Sequence, residues 1–254
     1  MAEVEDVKSV AKISTVVMVI AMQAEALPLV ESLKLIEDDT PPFPKGVPWL
    51  KYSGVRDGLQ VHIVSPGKDD VLGVDNVGTV SGALLTYATI QALQPDLLIN
   101  AGTAGGFKAK GASVGDVFVA TEVAYHDRRI PIPILDKYGI GATQTISTPN
   151  LLAILELKNG KLSTGNSLDM SPEDEELIKS NDATIKDMEG AAVAYVAHLF
   201  SVPVILLKAV TDIIDGGRPT SEEFLENLSV AGNALLKIGI QVLDFVNGKY
   251  ITEL

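Results

Sequence analysis

Short apolar runs alternate along this chain with polar-faced segments of helical spacing, and the alternation recurs from residue 13 to the C-terminal region. Residues 13–22, rich in Val and Ile, predict a buried strand, and a helix follows at about 23–33. After a loop at 38–48 with four prolines come strands at 49–53 and 59–64, parted by a connection ending in Asp57-Gly58, which predicts a hairpin. A long helix is expected at 77–93, then a strand at 96–100, a loop at 101–106 and a strand at 116–124. A Pro-interrupted loop at 128–133 leads into a less regular region ending near 161. A strand at 161–164, a charged helix at 172–179, a strand at 184–187, an apolar helix, a strand at 202–210 and a last helix from 221 to about 246 complete the pattern. Helices between strands predict an α/β fold: a central, mostly parallel, twisted mixed sheet flanked by helices. No repeat or linker divides it, so one domain is expected at 13–254, behind a mobile tail at 1–12.

One segment breaks the apolar pattern. Asp187-Met188-Glu189-Gly190-Ala191-Ala192 puts a carboxylate at the start of a helix that continues as Val193-Ala194-Tyr195-Val196-Ala197, apolar on nearly every face. Glu189 there gains from the positive end of the helix dipole, but a buried anion also needs donors, and no lysine or arginine follows in that helix. The adjacent hydroxyls of a ribose would satisfy it.

Composition narrows the choice. Lys and Arg number 20 against 33 Asp and Glu, a net charge of −13, which repels nucleic-acid backbones and anionic membranes. With no cysteine there is no disulfide, thiol catalysis or thiolate metal site. His62, His126 and His198 stand in no zinc-binding spacing. The first twelve residues show neither an apolar signal core nor an arginine-rich amphipathic pattern, and a cytoplasmic protein is expected.

In such folds ligands bind at the carboxyl ends of strands. Glu25, Thr103, Glu189 and Asp212 each stand just past a predicted strand, so the four can share one crevice. Asp212, after an apolar strand and before Ile213-Ile214, suits a general acid of raised pKa; a turn cap at Asp215-Gly216-Gly217 is the plainer alternative. Glu25, taken alone, reads first as an exposed residue in the first turn of its helix. The glycines of residues 102–106 permit close backbone approach to a ligand, or merely a tight turn. His126-Asp127 has no nucleophile elbow to serve and reads as a surface or interface pair, with Arg128 and Arg129 as solvated or interface charges beside it.

Taken together, Ala21-Met22-Gln23-Ala24-Glu25, Asn100-Ala101-Gly102-Thr103-Ala104-Gly105-Gly106, Tyr125-His126-Asp127, Asp187-Met188-Glu189-Gly190-Ala191-Ala192 and Lys208-Ala209-Val210-Thr211-Asp212 resemble the 5′-methylthioadenosine nucleosidases, most of all their plant branch. The resemblance runs from about residue 13 to the C-terminus and implies the nucleoside phosphorylase/hydrolase fold, a homodimer, and hydrolysis of methylthioadenosine to adenine and methylthioribose in methionine salvage. It implies that Asp212 protonates adenine N7, Glu25 activates water, Glu189 grips the ribose hydroxyls, Met188 packs under the sugar, and Thr103 lies near the ribose face. Lys186 and Asp187 would line the nucleoside site, and no metal or cofactor is implied. Two departures from the bacterial pattern fall on the base side: Leu168 where an aromatic commonly stacks, and Asn166 in place of Asp, so that backbone near Asp169 is expected to help read the base. Residues 130–133 and Phe224-Leu225 are candidate walls for the thioalkyl group, favouring methylthioadenosine over S-adenosylhomocysteine. Two other readings compete. A phosphorylase would need cationic phosphate ligands, and no arginine stands near Glu25; a silent storage or binding relative would be expected to carry a secretory signal and to lose the carboxylates.

Overall fold

The structure, a computed structural model, describes residues 11–254. The expected tail at 1–12 therefore lies outside the described residues, apart from Ala11 and Lys12. Strand β1 (Thr15–Val19) leads through Ile20–Met22 into helix α1 (Gln23–Leu33), and β2 (Ile36–Glu37), β3 (Leu50–Arg56) and β4 (Leu59–Ser65) follow. The β3–β4 hairpin turns at Asp57 and Gly58, both at positive φ, 48° and 88°, as the Asp-Gly pair predicts. Helix α2 (Thr79–Leu93), β5 (Leu97–Gly106) and β6 (Val117–Tyr125) come next. The region expected to be irregular holds α3 (Leu135–Ile140), β7 (Thr143–Gln144) and α4 (Pro149–Ile154), each too short to show a period in sequence. The chain ends with β8 (Lys158–Thr164), α5 (Pro172–Ser180), β9 (Ile185–Asp187), α6 (Gly190–Leu199), β10 (Val204–Ile213) and α7 (Thr220–Val246).

The strands form one mixed sheet in the order β10-β6-β8-β9-β5-β1-β4-β3-β2, with β10 also pairing β5. Pairs β4–β1, β1–β5 and β5–β10 in the centre, and β6–β8 and β8–β9 beyond them, are parallel; β5–β9, β6–β10 and the short edge strands pair antiparallel. Because β5 pairs with both β9 and β10, strands β5, β10, β6, β8 and β9 close into a ring. Closure removes sheet edges there and places the ends of β5, β9 and β10 around one point.

Both faces of the centre are covered, which is why the strands read as unbroken apolar runs. Val16, Met18, Leu97, Ile99, Ile205 and Leu207 pack towards α1 and α7, whose Leu29, Leu235, Val242 and Leu243 are fully buried. The alternate residues Val17, Val19, Leu98 and Leu206 pack towards α2 and α6, through Leu85, Val193, Ala194 and Ala197. Helix α7 is long and apolar enough to cross a bilayer, but it buries Ala231, Leu235, Gly239, Val242 and Val246 at helical spacing on this core.

Candidate active site

The segment expected to be a loop at 101–106 is the second half of strand β5. Small residues and glycines suggest a loop, but β10 pairs along the whole of it and β9 joins at Gly105 and Gly106, so its backbone groups are satisfied as sheet. Two glycines in this strand make room for carboxylates. A Cβ on Gly102 would stand 3.3 Å from Glu25 Oε2, and one on Gly105 would stand 2.8 Å from Asp212 Oδ2. No turn is made here; both glycines line the cavity and leave room for acidic side chains arriving from α1 and β10.

Glu25, only 4 % exposed, is not the solvated first-turn residue its position suggests. Its Oε1 accepts the Thr103 N–H and the Thr103 hydroxyl, both at 2.7 Å, and its Oε2 accepts the Met22 N–H at 3.4 Å. Burial raises its pKa against the lowering effect of the Thr103 bonds and of Lys208. Asp212 sits inside β10, not past its end. The register of β10 against β5 shifts between Val210 and Asp212, and this bulge re-aims the Asp212 side chain over Gly105. Its Oδ1 accepts the Thr211 hydroxyl at 2.7 Å, while Oδ2 is buried with no partner. Burial pushes its pKa up, opposed by the Thr211 hydroxyl and Lys186.

Glu189 is the residue preceding α6, and its side chain turns away from that helix. Its Oε1 accepts the Gly78 N–H at 2.7 Å, so it draws on the N-terminus of α2. Asp187 occupies the N-terminus of α6 instead: it accepts from Gly190 N at 2.7 Å and Thr164 Oγ1 at 2.5 Å, while Thr164 takes the Ala191 N–H. Burial and the Asp187 carboxylate push the Glu189 pKa up to about 7, with Lys208 opposing.

The cation absent from the α6 sequence comes from β10. Lys208, 1 % exposed, reaches 2.9 Å from Asp187 Oδ2. Burial disfavours its ammonium, but Asp187, Glu189 and Glu25 together hold its pKa above the ordinary lysine range. Sequence reasoning gave Lys208 no role, although a lone lysine in an apolar strand was the available signal. Its presence also removes one argument against anion binding near Glu25: a cation is there, but three carboxylates surround it.

These groups line one cavity of about 280 Å³. Glu25, Thr103, Lys186, Asp187, Met188, Glu189, Asp212 and Leu168 all border it, with Lys208; Val77, Ile214 and Phe224 add apolar wall. Lys186, itself in the lining, holds the Leu168 segment by donating to the carbonyls of Ser167 at 2.6 Å and Leu168 at 3.1 Å. Asp169 is exposed and outside the lining. Of the candidate thioalkyl walls only Phe224 lines the cavity; Leu225 is 74 % exposed, and residues 130–133 are absent from the lining, Ile130 packing instead at Gly139.

The motif at His126-Asp127 is not a surface pair. His126 is buried, its Nδ1 is 3.1 Å from Ser163 Oγ, and burial lowers its pKa to about 4. The partly exposed Arg129 does pair, with Asp174, and Arg128 stacks over the rings of Tyr125 and Tyr138.

A closed ring of strands that gathers lysines and carboxylates around one cavity is the frame of the family to which the chain belongs, the Phosphorylase superfamily, which it matches over residues 15–246. It is 60 % identical over 242 residues to a 5′-methylthioadenosine/S-adenosylhomocysteine nucleosidase of Arabidopsis thaliana, with 95 % of each chain covered. It is 59 % identical to a 5′-methylthioadenosine nucleosidase of the same plant, over 95 % of this chain and 91 % of that one. The apo structure of an Arabidopsis thaliana 5′-methylthioadenosine nucleosidase matches with a TM-score of 0.95 at 59 % identity, covering 96 % of this chain and all of that one.

Proposed function

We propose that the chain is an N-glycosyl hydrolase that cleaves 5′-methylthioadenosine to adenine and 5-methylthioribose, a reaction of methionine salvage. The observation that carries this reading is the convergence of Glu25, Glu189, Lys208 and Asp212 on one cavity whose other walls are largely apolar. Asp212 donates its proton to adenine N7, so that the base departs neutral. As the C–N bond breaks, positive charge grows on the ribosyl carbon, and the carboxylates of Glu25 and Glu189 lower its energy. Glu25, fixed by Thr103 through Oε1, has its other oxygen for the attacking water and takes the proton that water loses. Glu189, with Oε1 committed to Gly78, has Oε2 for the ribose hydroxyls. Met188 borders the sugar, and Leu168 packs on the base by dispersion.

Four acidic side chains against two lysines in the cavity lining, with Lys208 itself held among Glu25, Asp187 and Glu189, favour water over phosphate as the nucleophile. Adenine release from methylthioadenosine in phosphate-free buffer tests this; release that requires phosphate would make the enzyme a phosphorylase, and no release would make it a silent relative. The two plant relatives, at 60 % and 59 % identity, differ in whether S-adenosylhomocysteine appears in their names, so overall similarity does not set the substrate range. The apolar walls Val77, Ile214 and Phe224 support a preference for methylthioadenosine, because the ammonium and carboxylate of S-adenosylhomocysteine need water or polar partners. Equal kcat/KM on the two nucleosides would refute that preference.

A homodimer is part of the proposal. Val80, Leu84 and Tyr87 are 54–70 % exposed at i, i+4, i+7 spacing on α2, and Tyr195 and Leu199 of the neighbouring α6 extend the same apolar character. Light scattering on the wild type and on Leu84→Arg tests it: a monomeric wild type would overturn it.

A further inference from the structure

Asn166, the departure from the bacterial pattern, does not line the cavity. Its amide lies between the first turn of α2 and the segment just past β6. Oδ1 accepts the Thr79 N–H at 2.8 Å and the Thr79 hydroxyl at 2.9 Å, at the first turn of α2. Nδ2 donates to Asp127 Oδ2 at 3.0 Å, just past β6, and the Asn166 backbone N–H donates to the same oxygen at 2.8 Å. This assignment of the amide follows from its partners, since the Thr79 N–H can only donate and a carboxylate can only accept.

We propose that Asn166 is a positioning residue that ties the base-side loop to the segment holding Glu189, so that the two walls of the nucleoside cavity are set by one side chain. The chain of contacts is continuous. Asp127 holds Asn166; Asn166 holds Thr79; and Gly78, the next residue, donates its N–H to Glu189 Oε1 at 2.7 Å. In the other direction, two residues beyond Asn166, Leu168 forms the loop's cavity wall and is held through its carbonyl by Lys186. Gly78 has φ 102°, and a Cβ there would come within 2.9 Å of Asn166 Oδ1, so the glycine both adopts the turn and clears the amide.

The chemistry explains why this position carries Asn. One end must accept from an otherwise unpaired helix N-terminal N–H and the other must donate to a carboxylate. An aspartate here keeps only its backbone N–H for Asp127 and sets two carboxylates side by side. An alanine abandons Thr79 and keeps Asp127 only through the backbone N–H.

The inference rests on Glu189 holding the sugar, and its test separates the two. With methylthioadenosine and its 2′-deoxy analogue as substrates, Asn166→Ala is expected to lower the ribo-over-deoxy ratio of kcat/KM roughly three- to tenfold, the worth of an ordinary hydrogen bond. A purely structural role would lower Tm and leave that ratio unchanged. Asn166→Asp is expected to lower it as well, because a second carboxylate then faces Asp127. A folded Asn166→Ala or Asn166→Asp with the wild-type ratio would overturn the proposal. If the wild type cleaves neither nucleoside, the functional reading fails, and hydrogen exchange at the Gly78 and Thr79 amides decides the tie by itself: faster exchange in Asn166→Ala supports it and unchanged exchange refutes it.

Discussion

The cavity has two walls of different construction. One is built on strands and helix ends: Glu25, Asp187 and Asp212 are 4 %, 4 % and 2 % exposed, and Lys208 is 1 % exposed among them. The other is built on connecting segments, with Leu168 42 % exposed and Ile214 past the end of β10. Burial gives charge its leverage, since in a dry site each carboxylate alters its neighbours' proton affinity, whereas an exposed apolar side chain contributes only area. Chemistry belongs to the first wall and ligand fit to the second.

The largest difference between them should appear in turnover. Asp212→Asn keeps shape and removes the transferable proton, so kcat is expected to fall by about 10²- to 10⁴-fold. A folded Asp212→Asn variant releasing adenine at the wild-type rate would remove the chemistry from the buried wall. Lys208→Met comes next. It leaves Asp187 without its cation, and breaking a buried pair from one side costs about 3–5 kcal/mol, to be read as a large drop in unfolding free energy by urea titration. A loss below that of a surface lysine change would mean that the carboxylates share their charge some other way.

Glu189→Gln should separate stability from activity. The Glu189 pKa is raised to about 7 in the folded state, above its unfolded value, so the folded state holds the extra proton and the group's contribution to stability is lost as pH rises through about 7. The variant is therefore expected to gain Tm at pH 8 and little or nothing at pH 5, while losing kcat/KM at both. A Tm gain independent of pH would show that the carboxylate is not strained by its neighbours. The smallest effect is expected on the exposed wall. Leu168→Ala removes part of one apolar contact, about 1 kcal/mol, raising KM roughly fivefold with kcat unchanged. A fall in kcat instead would show that the exposed wall takes part in the chemistry and would erase the contrast.

The order of elements was legible because both faces of the central sheet are covered and the helices keep one apolar stripe each, so each strand reads as an apolar run and each long helix as a period. The short α3, β7 and α4 were not, because six residues or fewer carry no period. Glu25, Thr103, Glu189 and Asp212 could be nominated together because each follows a strand predicted from the sequence, although β5 and β10 run on through Thr103 and Asp212. The glycines at 102 and 105 were visible but their purpose was not, since it depends on side chains arriving from α1 and β10.

Residue order alone settles an α/β sheet with carboxylates near its strand ends, because periodicity and strand-end position are properties of consecutive residues. Lys208 as the cation among Glu25, Asp187 and Glu189, the Asp127–Asn166–Thr79 tie and the burial of His126 came only with folding. Each of them joins segments tens of residues apart, through a ring that closes when β5 takes both β9 and β10 as neighbours. Ring closure is a long-range choice of backbone partners, and hydrophobic patterning, which acts along a single element, carries no record of it.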